Sequence, residues 1–257
     1  MSRCKAVPPE PVPPEPTSDD LTRTVRAALD GPVERIRPLT LRDGRRFWLK
    51  RVEKMGLFLR LQKGDPERQF RAERAGLQAM SEAGMPVPEV AMEGPGFMVL
   101  ADRGPSLMTL VSDAGFSEAD RLAGFRAAGK ALALLHWAGL SHGRPAVRDI
   151  CWDGRQATFI DLENFSRKRR GGFWQARDIL VFVHSAEVQW PQDGRWVDAA
   201  LEAYAAQAPE GAMDRAVRLA RQLAPLGWLA RLALRLKPKS RNLRAIPLTL
   251  ARMRGRA

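Results

Sequence analysis

The sequence predicts an α+β fold in which a small β-rich lobe with one helix precedes a mostly helical lobe. Two observations support this prediction. Strand-like segments at 33–41 and 46–52 flank Asp43-Gly44, a residue pair typical of tight hairpin turns. After about Trp174 the sequence is helical in character. With 257 residues, 45% of them hydrophobic, the chain is long enough to bury a substantial core.

Three parts are predicted along the chain. Residues 1–18 contain a cluster of prolines among small and acidic neighbours, a composition that buries too little apolar surface to become ordered. We therefore expect a disordered tail at 1–18, the β-rich lobe at 19–101 and the helical lobe at 102–257. The last part of the helical lobe, 215–257, is expected to form basic helices.

Local signals mark the elements of the β-rich lobe and its connector. Asp65 is expected to cap a helix that begins at Pro66, because apolar residues at helical spacing follow it. Gly84, with prolines close behind it, is expected to end this helix. Residues 98–100 predict a short buried strand.

The helical lobe also has clear start and stop signals. Ser117 with Asp120 three residues later resembles a capping box, and an apolar stripe follows it. Gly139 is expected to close this long helix. Two short strands are then predicted around Asp153-Gly154.

The number of cysteines and the lack of long apolar runs indicate the cellular compartment of the protein. Cys4 and Cys151 are too few for a disulfide framework, and the chain opens with no charged-then-apolar leader. No apolar run approaches the roughly 18 residues that suggest a transmembrane helix. We therefore expect a cytoplasmic protein.

The formal charge of +13 is concentrated at the C-terminus. From Arg215 onward there are 12 Lys or Arg residues and no Asp or Glu, whereas residues 1–214 hold 30 basic and 29 acidic residues. A basic helical segment that also contains Trp228 and several leucines is typical of a protein lying on an anionic bilayer. Nucleic-acid binding is the rival explanation, but aromatic and basic residues do not interleave, so we do not favour it.

Lys50 and Glu73 are candidates for a buried ion pair. Lys50 shares one face of a strand with Trp48, although a solvated edge lysine is the alternative. Glu73 falls on the apolar face of the helix that begins at Pro66, and buried carboxylates need partners. A strand lysine paired with a helix glutamate is the arrangement with which kinases hold the α- and β-phosphates of ATP.

The loop 142–150 and Asp161 have the layout of a phosphate-transfer site. In kinase-like enzymes a loop H-x-D-x-x-x-x-N supplies a base and a metal ligand, and an Asp after a β-hairpin supplies the second metal ligand. Here Arg144 stands at the base position, Asp149 at the Asn position and Asp161 at the metal position. A guanidinium stays charged at physiological pH, so Arg144 cannot act as a general base.

These segments together resemble the lipopolysaccharide core kinases. This bacterial family phosphorylates heptose or 3-deoxy-manno-octulosonic acid and has the protein-kinase-like fold. The resemblance covers roughly residues 31–190 and depends on the order and spacing of five short segments: 44–50, 83–88, 142–149, 159–162 and 175–180.

The resemblance implies ATP and Mg²⁺ as cofactors. Lys50 would contact the nucleotide phosphates, and Glu73 would orient it. Asp161 would hold Mg²⁺, and Asp149 would be a second metal ligand that keeps an oxygen donor for a hard cation. These four residues are the expected nucleotide and metal site.

The resemblance also implies roles for residues around that site. Leu100, Ala101 and Asp102 would form the hinge whose backbone reads the adenine edge. His142 would be structural, packed under the catalytic loop. Asp178 would anchor that loop through hydrogen bonds to its backbone, although a simple helix N-cap is the alternative.

Two functions follow, and they differ in what Arg144 does. The first is an ATP-dependent phosphotransferase, cytoplasmic and peripheral on the inner membrane, acting on a sugar or glycolipid hydroxyl. Arg144 would then stabilise phosphoryl charge while Asp149 or Glu163 takes the proton. The second is a pseudokinase that binds a nucleotide or a partner, as Arg144 and the absence of a glycine-rich loop suggest.

The length of the segment between Asp161 and Asp178 indicates which kind of acceptor the protein would use. Its 16 residues are too few for the long activation segment on which protein kinases lay out a peptide. A small or carbohydrate acceptor is therefore favoured. The basic run 167–170 inside it is either a solvated loop or a binding surface for an anionic acceptor.

Overall fold

The computed structural model of the protein describes residues 18–52, 65–191 and 193–256. The predicted disordered tail, apart from Ser18, lies outside the described residues. By compactness the chain divides into two units: Met1–Glu53 with Val90–Asp102, and Lys54–Glu89 with Arg103–Ala257. The predicted lobe boundary at 101 and 102 stays a prediction.

Six strands and nine helices occur in the described residues. The strands are β1 (Ile36–Thr40), β2 (Arg46–Arg51), β3 (Val90–Gly94), β4 (Phe97–Ala101), β5 (Ile150–Trp152) and β6 (Ala157–Phe159). The helices are α1 (Ser18–Asp30), α2 (Pro66–Glu82), α3 (Leu107–Ser112), α4 (Glu118–Trp137), α5 (Gly172–Gln189), α6 (Arg195–Ala205), α7 (Ala212–Gln222), α8 (Ala224–Leu236) and α9 (Arg241–Arg254). Short 3-10 turns span Val147–Asp149 and Leu162–Asn164. The predicted α+β class, with a small antiparallel sheet and a helical remainder, is confirmed.

The first unit is an antiparallel sheet in the order β1-β2-β4-β3. Phe47 and Leu49 point to one face of β2 and join a buried cluster with Val25 of α1 and Val99 of β4. Helix α1 has no counterpart among the predicted elements. It is stabilised by packing Val25 and its apolar neighbours on the sheet, which local sequence patterns do not reveal.

Helix α2 begins and ends as its sequence predicts. The Asp65 side chain accepts a hydrogen bond from the Glu67 N–H (3.2 Å), and Gly84 follows the helix with φ of 70°. Within the second unit α2 packs closely on the 3-10 turn after Asp161. A Cβ added to Gly76 would lie 2.8 Å from Leu162 Cβ, so this contact requires glycine.

Helix α4 is the central helix of the second unit. Its predicted capping box is present, because the Ser117 and Asp120 side chains each accept from the other residue's backbone N–H. Phe125 is buried among aromatic rings of other elements, and Gly129 lets α4 approach α6 closely. A Cβ on Gly129 would collide with the Ala200 carbonyl.

The substitution Gly129→Ala is expected to lower the free energy of unfolding by about 2–4 kcal/mol, because backbone atoms on α6 cannot move aside cheaply. Gly227→Ala is the matched control on another helix, since its Cβ would meet a side-chain methyl of Leu250 at 3.3 Å. The control should change stability by less than about 1 kcal/mol. Denaturant unfolding measures both, and equal effects would contradict the packing described.

Candidate functional site

Asp178 fixes the backbone of the loop that contains Arg144. Its Oδ2 accepts a hydrogen bond from the His142 N–H (2.6 Å), and its Oδ1 accepts one from the Gly143 N–H (3.0 Å). The Asp178 side chain is completely buried, where a carboxylate needs such donors. Because α5 begins at Gly172, the alternative role of Asp178 as a helix N-cap is excluded.

Asp178 lies near His136, which contacts two further polar residues, Tyr204 and Gln175. His136 Nε2 lies 3.7 Å from Asp178 Oδ2, and His136 Nδ1 lies 2.8 Å from the Tyr204 hydroxyl. Gln175 Nε2 donates to the His136 carbonyl (2.7 Å). These residues were not predicted from the sequence. The one available signal was a histidine in an otherwise apolar stretch of α4, because the partners are distant in sequence.

His142 is buried beneath the same loop. Its ring meets Phe159 edge-on, with ring centroids 5.3 Å apart. Burial lowers the pKa of His142, so the imidazole is neutral at pH 7. The ring nitrogen Nδ1 accepts a hydrogen bond from the Arg144 N–H (3.4 Å), in agreement with a neutral ring.

Gly143 brings the loop against the segment that follows Asp161. It has φ of 91°, and a Cβ there would collide with the Asn164 carbonyl. Arg169 Nη1 donates to that same carbonyl (2.9 Å), and Arg177 donates to the Gly143 carbonyl. The loop and the turn after Asp161 therefore approach each other at a backbone contact that only glycine permits, and arginine side chains bond the carbonyls on both sides of it.

Arg144 lies among three carboxylates. Its Nη2 is 2.8 Å from Asp161 Oδ2, 3.4 Å from Glu163 Oε1 and 3.8 Å from Asp149 Oδ2. The shortest contact is a charge-assisted hydrogen bond. The side chains of Arg144 and Asp161 are 33% and 24% exposed, so water reaches this pair.

Asp161 has a strained backbone. Among the residues that the structure describes, it is the one non-glycine residue with positive φ, at φ 58° and ψ 59°. Such left-handed conformations cost about 1–3 kcal/mol outside glycine and concentrate at functional sites. This left-handed conformation places Asp161 in the carboxylate cluster immediately after the β5-β6 hairpin.

Asp149 is the buried member of the cluster. Its residue is 4% exposed, and its Oδ2 has no hydrogen-bond partner among the described residues. Burial and the nearby Asp161 charge raise the pKa of Asp149 to about 7, while Arg144 and Arg148 oppose the rise. The cluster thus holds an orphaned carboxylate oxygen that a cation would satisfy.

The predicted nucleotide residues lie in two different units. Lys50 is half-buried on β2, on the face opposite the core residue Leu49, whereas Glu73 is buried on α2 of the second unit. Their pairing stays a prediction.

At the predicted hinge, the pairing of β3 with β4 ends at Leu100. Beyond it, Asp102 donates its N–H to the Arg46 carbonyl (3.1 Å) and its carboxylate pairs with the Arg46 guanidinium (3.1 Å).

The basic run 167–170 is partly used by the fold. Arg167 pairs with Glu82 at 2.6 Å. Arg169 bonds the Asn164 carbonyl and stacks on Trp174, with its guanidinium carbon 5.1 Å from the ring centroid. The other two cations, Lys168 and Arg170, are exposed.

Sequence comparison finds a similar curated protein. No family model matches the chain. An uncharacterized protein of Haemophilus influenzae is 36% identical over 153 residues, which cover 59% of this chain and 62% of that protein. The chain therefore spans less than two thirds of the length of this relative.

Comparison with solved structures finds kinases and phosphotransferases. The macrolide 2′-phosphotransferase MphH from Brachybacterium faecium has a TM-score of 0.46 at 15% identity, covering 86% of this chain and 90% of its own. The MAP kinase LmaMPK10 from Leishmania major has 0.40 at 13%, with 76% and 71% covered. The bifunctional kinase-methyltransferase WbdD has 0.43 at 15%, with 68% and 43% covered.

Replacing Asp178 by Ala is expected to lower the free energy of unfolding by about 2–4 kcal/mol, because two buried N–H groups lose their acceptor. Asp153→Ala is the matched control. Asp153 also accepts from two backbone N–H groups, those of Arg155 and Gln156 (both 2.9 Å), but it is exposed and water can replace it. Chemical denaturation should show at most about 1 kcal/mol for the control. Similar losses in both variants would contradict the anchoring role.

Proposed function

We propose that the protein is an ATP-dependent phosphotransferase that acts on a hydroxyl group. The observation that supports this most directly is the convergence of Asp149 and Asp161, from the two ends of one β-hairpin, on a single cation, with Asp161 held in a strained backbone. Backbone strain and a partly buried charge cluster both destabilise a fold, so their presence together favours a functional role.

The carboxylate cluster offers donors that suit Mg²⁺. Carboxylate oxygens are hard ligands, and Asp149 Oδ2 is buried without a hydrogen-bond partner in the described structure. No group of three or more metal-binding side chains is found among the described residues. In phosphotransfer sites Mg²⁺ is commonly bound by one or two carboxylates together with nucleotide phosphates, so Asp149 and Asp161 suffice. Bound there, Mg²⁺ would neutralise phosphate charge.

In the structure the Arg144 guanidinium lies between the carboxylates, where the metal would bind, and acts as their counter-ion. A partly exposed ion pair is worth about 1 kcal/mol, so Mg²⁺ has to overcome roughly a fivefold handicap to take Asp161 from Arg144. This free-energy difference weakens Mg²⁺ binding but does not prevent it. Once released, the guanidinium suits a phosphate, because its planar donors match phosphate oxygens.

The transfer step proceeds without a side-chain base at position 144. The acceptor oxygen forms a bond to the γ-phosphorus, and the bond from that phosphorus to the β–γ bridging oxygen breaks. ADP leaves with the bonding electron pair, and the acceptor proton passes to Asp149 or Glu163, neither of which stands at the usual base position. General-base help contributes about 10²–10⁴-fold, so we expect slow turnover.

A sugar or glycolipid hydroxyl is the proposed acceptor. The short segment between Asp161 and Asp178 is tied down by Arg167 and Arg169, which leaves little chain for laying out a peptide. Lys168 and Arg170 are exposed beside these ties and suit an anionic group on the acceptor. The resemblance to lipopolysaccharide core kinases makes heptose and 3-deoxy-manno-octulosonic acid the first acceptors to test.

A pseudokinase is the second candidate, and the 2.8 Å contact between Arg144 and Asp161 favours it. In that case the guanidinium replaces the metal permanently. The fold would then bind a nucleotide or a partner without transferring phosphate.

Asp161→Ala is expected to reduce ATP-dependent phosphorylation of core sugars by at least about 10²-fold, because it removes the charge that positions the metal. Asp193→Ala is a matched control, since Asp193 is a surface carboxylate paired with Arg195. Turnover is measured as ADP released and as labelled acceptor. Full turnover in the Asp161 variant would exclude the proposed site.

Arg144→Gln is expected to lower the free Mg²⁺ concentration that half-saturates nucleotide binding by about fivefold, because the competing cation is gone. Arg167→Gln serves as the control, since it breaks a short ion pair of 2.6 Å outside the cluster. Thermal shift at saturating ATP over a range of Mg²⁺ concentrations gives both values. If neither the parent nor the Arg144 variant shows Mg²⁺-dependent stabilisation, the pseudokinase alternative is correct.

A further inference from the structure

Helix α8 presents its large apolar residues to solvent and its small ones to the protein. Gly227 and Ala230 are buried, whereas Trp228, Leu232 and Leu236 are 63%, 45% and 86% exposed. These three exposed residues recur every fourth position, so they form one stripe along the helix. Leu229, at 49%, widens the stripe.

Small residues on the inner side attach α8 to α9. A Cβ added to Gly227 would be 3.3 Å from Leu250 and 3.9 Å from the Pro247 Cα, so the two helices are in close contact there. The exposed stripe therefore contributes little to holding α8 in place. None of the described residues covers its apolar area, and an exposed apolar patch of this kind is typical of an interaction surface.

Cations border the apolar stripe on one side. Arg231 follows Trp228 by three residues and Arg235 follows Leu232 by three, which sets both arginines along the edge of the stripe. Both are exposed, as are Lys237 just beyond the helix and its neighbours. From Arg215 onward no acidic residue offsets these charges.

We propose that the exposed face of α8 docks on the surface of an anionic phospholipid bilayer, with the helix lying in the plane of the interface. Tryptophan and arginine suit this boundary, because each combines apolar surface with a polar tip. Leucines enter the acyl boundary while Arg231 and Arg235 meet the headgroup phosphates. No helix among the described residues is long and apolar enough to cross a membrane.

The chemistry of the face favours a bilayer over other polyanions. A nucleic acid would satisfy the arginines but leave Trp228 and the leucines in water. An acidic protein would need an apolar groove rimmed by carboxylates. An anionic bilayer has an apolar interior beneath negatively charged headgroups along its whole surface. The proposal depends on this surface alone and not on phosphotransfer.

The test is cosedimentation of the full chain with phosphatidylcholine vesicles that do or do not contain phosphatidylglycerol. Binding is expected with the anionic vesicles and should weaken at high salt. The double variant Trp228→Ser/Leu232→Ser should weaken it by about 10-fold or more. Its matched control is Leu134→Ser/Trp137→Ser, a second exposed pair of the same residue types on α4.

The charge is tested separately with Arg231→Gln/Arg235→Gln, which is expected to reduce binding by about 10-fold or more. Arg23→Gln/Arg26→Gln on α1 is the control, because these arginines are also exposed. Equal binding of the parent and both α8 variants would overturn the proposal. So would equal binding to neutral vesicles, or binding of an oligonucleotide or acidic protein in place of anionic vesicles.

Phosphorylation of a water-soluble acceptor without vesicles separates this proposal from the proposed function. The α8 variants should retain it, whereas Asp161→Ala should not. Loss of vesicle binding with turnover intact supports docking by α8. Vesicle binding unchanged in the α8 variants contradicts docking whatever the turnover.

Discussion

The contact between Arg144 and the carboxylates of Asp149, Asp161 and Glu163 is the interaction on which the site depends. Three carboxylates this close repel one another, and burial of Asp149 adds a desolvation cost. A single guanidinium balances part of that charge. The backbone of the loop around it is positioned by Asp178, which accepts two of its N–H groups, and by the close approach of Gly143 to Asn164.

This arrangement explains how an arginine can stand where a kinase-like loop has a base. A carboxylate base at position 144 would add a fourth negative charge to the cluster. An arginine reduces the charge and occupies the position between the carboxylates, but its partial exposure leaves it replaceable. Under the proposed function, the same residue would stabilise the empty site and yield it to a metal.

The sequence predicts those parts of the structure that local chemistry determines. Asp65 and the Ser117–Asp120 box are caps, and each signal lies within a few residues of its effect. The hairpin around Asp153-Gly154 is likewise local. Helix α1 and strand β3 were not predicted, because neighbouring elements of the sheet stabilise them.

The site shows the same division. The positions of Arg144, Asp149 and Asp161 were predicted from motif spacing, whereas the placement of His136 3.7 Å from Asp178 depends on contacts between distant helices. A structure of the protein crystallised with Mg²⁺ and a nonhydrolysable ATP analogue tests the central claim most directly. The account predicts Mg²⁺ on Asp161 and the Arg144 guanidinium turned to a phosphate. A nucleotide bound without metal, with Arg144 still 2.8 Å from Asp161, would contradict it.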